Sequence, residues 1–399
     1  MSKRYDSKGR ILRSGESQRN DGRYMFQYTG LDGKRHTIYS TRLERRDRSP
    51  AGTTTAEPSL REKEAAIQQN LQDGIKDSGG DLTVLQLAER YVATRTDVRQ
   101  KTKSGYKTTL NIIRRDSFGL CRIDHVKQSD AKLWLIKLQQ QDHRRYSSIQ
   151  NIRGVLRPAF QMAVDDDLIR KNPFEFPLSQ VLRNDTQKRN ALSPAQEEIF
   201  LDFIKSDSHY RKYYEAIYIL FNTGLRISEF CGLTPDAIDF NKRCIHVTGQ
   251  LIRQSTMITE FEPTKTECGL RDIPMSDDVA DCFRSLARKR AKVLVEPIID
   301  GKSGFYCLDK NGQPMVALHW EHVFDHILVK YNKTHSDPLP KVTPHVCRHT
   351  FCTKMARKGM NPKNLQYIMG HAEYSITMDV YTDLGYEDAL AEFDRVNGK

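Results

Sequence analysis

A chain of 399 residues with 38 % hydrophobic residues and a formal net charge of +12 is long enough for two or three folded domains, and its excess of Lys and Arg suits a polyanionic partner. No apolar run approaches membrane-spanning length, and there is no basic amphipathic anchor or lipidation signal, so the partner expected is nucleic acid and not a membrane surface. Eight cysteines scattered without a Cys-x-x-Cys spacing, and a start (MSKRYDSKGR) with no apolar stretch, lead us to expect reduced thiols in a cytoplasmic protein.

Residues 11–40 read as a small antiparallel sheet: RILRS, RYMFQYT and KRHTIYS are β-rich runs, with Asn20-Asp21-Gly22 and Asp32-Gly33 as turn signals. Tyr24, Phe26 and Tyr28 alternate onto one face. The sheet carries many cations, among them Lys3, Arg4, Lys8, Arg10 and Arg19, with Arg13, Arg23, Lys34 and Arg35 as candidate DNA contacts. They form either a solvated face or a β-ribbon that reads a DNA groove. Residues 41–58 lack apolar periodicity and read as a loop. Ser59 with Glu62 then forms a capping box for a helix striped by Leu60, Ile67, Leu71 and Ile75, which Gly79-Gly80 stops.

From Asp81 to about Pro177 the pattern is helical. Thr83 and Gln86 box the first helix; the others run through SGYKTTLNIIRR, DAKLWLIKLQQQ and SSIQNIRGVLRPAFQMAVDDDLI. The second helix and its approach carry Arg99, Lys101, Lys103, Lys107, Arg114 and Arg115, either a surface that tracks phosphates or an ordinary solvated face. A polar stretch around residues 182–189 marks a linker, and Ser193-Pro194 opens the next helix.

The last third concentrates the chemistry. Arg226 and Glu229 stand three apart in GLRISE, where a surface ion pair is the ordinary reading. RCIHVTG, MITEFEP and LRDIPM read as three short strands, with Lys265 in the turn of the last hairpin and Lys242 and Arg271 nearby. His345, Cys347, His349 and Cys352 lack the spacing of a structural zinc site. His371 follows Gly370 at a helix end, and on the next helix, opened by Ser375, Thr377 and Tyr381 share a face while Ile376 and Val380 take another. Guanidiniums, imidazoles and a hydroxyl are together what phosphoryl transfer asks for.

In this order GLRISE, the PTKT around Lys265, His345-x-x-Arg348, Gly370-His371 and Tyr381 resemble the tyrosine recombinases of the phage integrase family, and the N-terminal sheet resembles the arm-binding modules of conjugative-transposon integrases. The resemblance implies a multidomain α+β chain: an N-terminal antiparallel β-sheet module (1–58), a connecting helix (59–80), an all-α core-binding DNA domain (81–181), a linker (182–192), and a mainly α catalytic domain with a small antiparallel sheet (193–399), its tail beginning at 382. It makes Tyr381 the nucleophile, Arg226 and Arg348 the phosphate clamps, and Glu229 the residue that orients them. Lys265 becomes the general acid, and His345 and His371 handle protons or bond the phosphate, with no metal or other cofactor. It also implies a homotetramer on double-stranded DNA, core and arm sites alike, with an accessory excisionase or host DNA-bending protein. A tail helix through Tyr386, Leu390, Phe393 and Val396 would dock on a neighbouring protomer or on its own domain. A type IB topoisomerase-like enzyme, or a non-catalytic architectural DNA-binding protein, is the competing reading.

Overall fold

The computed structural model describes residues 4–30, 33–48, 57–72, 82–186, 190–254, 257–264, 267–290 and 296–382, together with 390, 393, 394 and 397. Lys3, Lys265, Tyr386 and Val396, and with them most of the expected tail helix, lie outside the described residues. The chain divides into two compact units, Met1–Gln187 and Lys188–Lys399.

In the first unit β1 (Arg4–Tyr5) pairs with β2 (Ile11–Leu12), and β3 (Glu16–Gln18), β4 (Tyr24–Thr29) and β5 (Arg35–Ser40) form an antiparallel sheet in that order. Alternation along β4 buries Tyr24 and Phe26 with Leu12, Leu43 and Leu60. The expected strand RILRS does not join this sheet. Gly15, at φ +86°, turns the chain between β2 and β3, and a Cβ there would meet the Gln27 carbonyl at 2.7 Å. Arg10 is likewise no surface cation: its guanidinium bonds Asp6 at 2.8 Å, Asp47 at 2.7 Å and the Tyr24 hydroxyl at 2.9 Å. Of the box expected at Ser59 the Glu62 half forms: the Ser59 N–H and hydroxyl both donate to the Glu62 carboxylate, at 2.9 and 2.8 Å, and α1 (Leu60–Gln72) starts there, its Leu60 entering the sheet's core.

Four further helices, α2 (Val84–Ala93), α3 (Gln100–Arg114), α4 (Gln128–Gln140) and α5 (Tyr146–Asp165), enclose a second core. Thr83 and Gln86 cap α2 reciprocally. Trp134 stacks on Phe118 with ring centres 4.5 Å apart, and Phe160 and Phe174 complete the layer.

The second unit contains α6 (Pro194–Ser206), α7 (Tyr214–Thr223), α8 (Ile227–Cys231), α9 (Asp277–Arg290), α10 (Ala317–Thr334), α11 (Pro344–Arg357), α12 (Pro362–Met369) and α13 (Tyr374–Thr382). Its core is built on Phe200, Phe221, Phe230, Phe283, Trp320 and Phe324. The strands differ from expectation. β6 (Ile238–Asp239), β7 (Cys244–Val247) and β10 (Arg271–Pro274) make one sheet, in the order β10-β7-β6, while β8 (Gly249–Arg253) pairs with β9 (Thr259–Pro263). GQLIR is thus a strand of its own, and β9 and β10 belong to different sheets instead of forming one hairpin. Gly249 permits this arrangement, because a Cβ there would sit 2.5 Å from the Phe261 ring.

Candidate active site

Two helix ends terminated by glycine build the site. α7 stops at Gly224 (φ +67°) and α12 at Gly370 (φ +61°), both in the left-handed region that favours glycine. A Cβ on Gly370 would also come within 3.0 Å of the Arg271 guanidinium and of the Cys268 carbonyl. The last carbonyls of a helix have no partner within it and carry the negative end of its dipole. At α12 three successive carbonyls receive three different arginines. Nε of Arg271 donates to Ile368 at 2.7 Å, Nη2 of Arg348 to Met369, and Nη2 of Arg226 to Gly370 at 2.8 Å. Arg348 also donates from Nη1 to Gly224 at 2.5 Å, so the two glycine turns are tied by one side chain.

Glu229 holds the group together. Arg226 precedes α8 in extended conformation, its N–H donating to Oε2 of Glu229 at 2.8 Å and its Nη1 to Oε1 at 2.7 Å. On the other side Arg271 donates to both carboxylate oxygens, at 3.1 and 2.9 Å. Glu229 is buried; burial alone would raise its carboxyl, but the Arg271 hydrogen bonds, then the charges of Arg271 and Arg226, hold it below the usual range. One carboxylate against three guanidiniums leaves an excess of positive charge. Arg271 and Arg348 are buried, whereas the Arg226 side chain is 39 % exposed and is where that charge meets solvent. Burial, then the neighbouring Arg226, pushes Arg348 down to about 9, still cationic at neutral pH.

His371 follows Gly370, and its Nδ1 lies 3.0 Å from the hydroxyl of the fully buried Thr377 on α13. Burial, then the charges of Arg348, Arg226, Arg271 and His345, lowers its imidazole to about 4, so it is neutral at pH 7. His345, in the first turn of α11, is exposed, and its charge contributes to that lowering. Tyr381 lies one turn beyond Thr377 on α13, packed against the core, and its hydroxyl donates to the Met360 carbonyl between α11 and α12.

Sequence reasoning passed over Arg271, which it considered only as an alternative to Lys265. The signal in the sequence is register: Arg271 stands two residues before Ile273 and four before Met275, on the face of the strand that the structure buries. Lys242 is exposed, 3.8 Å from Asp239. Cys347 and Cys352 are buried, and His349 lies 3.3 Å from the Thr353 hydroxyl.

Of the candidate DNA contacts, Lys103, Lys107 and Arg114 line one groove with Val92, Tyr106 and Leu110, while Arg99, Lys101 and Arg115 are not among its lining residues. Arg114 bonds Glu89 at 2.7 Å and Asn111 at 2.9 Å. On the small sheet Arg13, Arg23, Lys34 and Arg35 are exposed; Arg23 is paired with Asp21 at 2.8 Å, and Arg13 lies 4.0 Å from Glu64.

Residues 190–388 match the phage integrase family, and residues 1–71 match the DNA binding domain of tn916 integrase. The chain is 43 % identical over 396 residues to the transposase from transposon Tn1545 of Streptococcus pneumoniae, covering 99 % of this chain and 97 % of the relative. Identity to the transposase from transposon Tn916 of Enterococcus faecalis is 42 % over the same coverage. The solved structure of the Tn1549 transposon integrase in complex with a circular intermediate DNA is 44 % identical, covers 79 % of this chain and 100 % of its own, and superposes with a TM-score of 0.75. The chain belongs to the phage integrase family and is a tyrosine recombinase, an integrase that acts on DNA.

Proposed function

We propose that this integrase excises and inserts a mobile element of the conjugative-transposon kind, cutting and rejoining DNA through a 3′-phosphotyrosyl intermediate on Tyr381. The observation that carries the site assignment is the set of three arginines on successive carbonyls of α12. Of the five N–H donors a guanidinium has, Arg226 directs one to Glu229 and one to Gly370, leaving donors for the non-bridging oxygens of a scissile phosphate. Buried Arg348 adds charge behind it. We assign Nδ1 of His371 as the acceptor from Thr377, which puts the proton of the neutral imidazole on Nε2 for donation to a phosphate oxygen, and give His345 a phosphate contact or a proton-handling role.

The Tyr381 phenol passes its proton to water as its oxygen attacks, forming the phosphorus–tyrosine bond and breaking the bond to the 5′ oxygen, which takes a proton from Lys265. A phenol with an ordinary pKa near 10 is a poor nucleophile in water. Guanidiniums fixed in advance stabilise both its anion and the charge that develops on phosphate. For attack the Tyr381 hydroxyl gives up its hydrogen bond to the Met360 carbonyl. The bond energy is conserved, and a partner strand's 5′ hydroxyl reverses the step.

The related Tn1549 integrase has been solved with transposon right end DNA and with circular intermediate DNA, which supports the same substrate here. We assign residues 1–58 to arm DNA and 81–181 to core DNA, the latter through Arg99, Lys101, Lys103, Lys107, Arg114 and Arg115. The working assembly is a homotetramer on two DNA sites, assisted by an excisionase or a host DNA-bending protein. Covalent trapping on a nicked suicide DNA carrying an element end, in EDTA, tests the chemistry. Wild type should give a covalent band and Tyr381→Phe none. An adduct in Tyr381→Phe would refute the nucleophile, and no adduct despite binding would favour an architectural protein.

A further inference from the structure

Antiparallel register sets His246 of β7 opposite Asp272 of β10, and the two-residue period of a strand puts Cys244 on the same face as His246. The side chains converge there. Nδ1 of His246 lies 2.7 Å from Oδ1 of Asp272 and 3.9 Å from Sγ of Cys244. One donor atom from each of the three lies within 4.8 Å of the others, a grouping found nowhere else among the described residues. Cys244 and His246 are half-buried and Asp272 is exposed, so the cluster has a floor and an open side. The recombination chemistry uses none of the three, because alternation along β10 sends Arg271 to the catalytic cradle and Asp272 to the opposite face.

We propose that Cys244, His246 and Asp272 bind a divalent transition metal of the zinc class, with water in the fourth position. A sulfur, a nitrogen and an oxygen donor suit zinc or cobalt, whereas magnesium and calcium select oxygen ligands. Metal–donor distances of about 2.0–2.3 Å in a tetrahedron put the donors roughly 3.5 Å apart. The three atoms bracket that separation, and side-chain adjustments of about 1 Å complete the geometry. Binding exchanges the His246–Asp272 hydrogen bond for two metal bonds. The Cys244 thiol, kept protonated by burial and by the nearby Asp272 and Asp239, loses its proton to solvent as the thiolate–metal bond forms, and the neutral imidazole carries its proton on Nε2. The bound ion pins β10 to β7 one residue from Arg271, the brace of Glu229, and so stiffens the strand behind the cradle without entering it.

Titrating the full-length protein with Co²⁺ tests this. The expected result is one equivalent bound, with a thiolate-to-cobalt charge-transfer absorption that Zn²⁺ displaces. Cys244→Ser should abolish that absorption. Asp272→Asn, at a side chain 59 % exposed where the fold tolerates change, should weaken binding at least tenfold. No thiolate absorption at millimolar Co²⁺ would overturn the proposal. So would a band that survives in Cys244→Ser, which would assign it to an exposed thiol such as Cys121 or Cys268, or an affinity unchanged in Asp272→Asn.

Discussion

At the end of α12 three guanidiniums are held by backbone carbonyls and by one buried carboxylate, two of them with almost no access to solvent. On α3, by contrast, Lys101, Lys103 and Lys107 stand exposed, as does Arg115 just past its end, and Arg114 is shared with Glu89 and Asn111. Cations of the first kind have their entropy already removed and their direction fixed, so they stabilise charge that develops during a reaction without reorganising. Cations of the second kind can follow a backbone of variable position and release counterions from it. Arginine content alone does not separate the two; which backbone groups hold the side chains does. The first set should therefore govern rate and the second affinity.

Removing the hub of the fixed set should have the largest effect. Glu229→Ala leaves Arg271 buried without its carboxylate and should cost about 3–5 kcal/mol of stability, read from urea unfolding. Arg226→Ala should lower strand cleavage about 10²–10³-fold with DNA affinity changed only a few-fold, measured by single-turnover trapping and gel shift. Gly370→Ala strains a left-handed residue and crowds Arg271 at 3.0 Å; a loss of about 1–2 kcal/mol is expected, with slower cleavage.

The pH dependence has a definite sign. His371 titrates at about 4 when folded against 6.5 ordinarily, so between those values the unfolded chain takes up a proton that the folded one refuses. Stability contributed by this residue is complete above pH 6.5 and is lost toward pH 4. Urea midpoints at pH 7 and 5 should thus fall further for wild type than for His371→Gln. The smallest effect is expected on α3. Lys107→Ala should reduce the salt dependence of core-DNA binding by about one unit of slope and leave cleavage at saturation unchanged. A cleavage defect at saturation would erase the distinction between the two sets.

Much of this was legible in the residues. The caps at Ser59, Thr83 and Ser193 formed where the sequence placed them, because capping is local chemistry among residues three apart. Gly370 also announced a helix end. Contacts between a side chain and a distant carbonyl carry no such pattern: Arg226 meets Gly370 across 144 positions and Arg348 meets Gly224 across 124. Strand partnership was misread for the same reason. β9 is followed in sequence by β10 but pairs with β8, and the short polar strand Glu16–Gln18 offers no apolar alternation to find.

The most direct test compares cleavage of nicked DNA carrying either an ordinary scissile phosphate or a methylphosphonate, which lacks one negative oxygen, by wild type and Arg226→Ala. If the α12 cradle neutralises that oxygen, the penalty of Arg226→Ala should shrink at least tenfold on the methylphosphonate. An equal penalty on both DNAs would contradict the assignment of the cradle to the scissile phosphate.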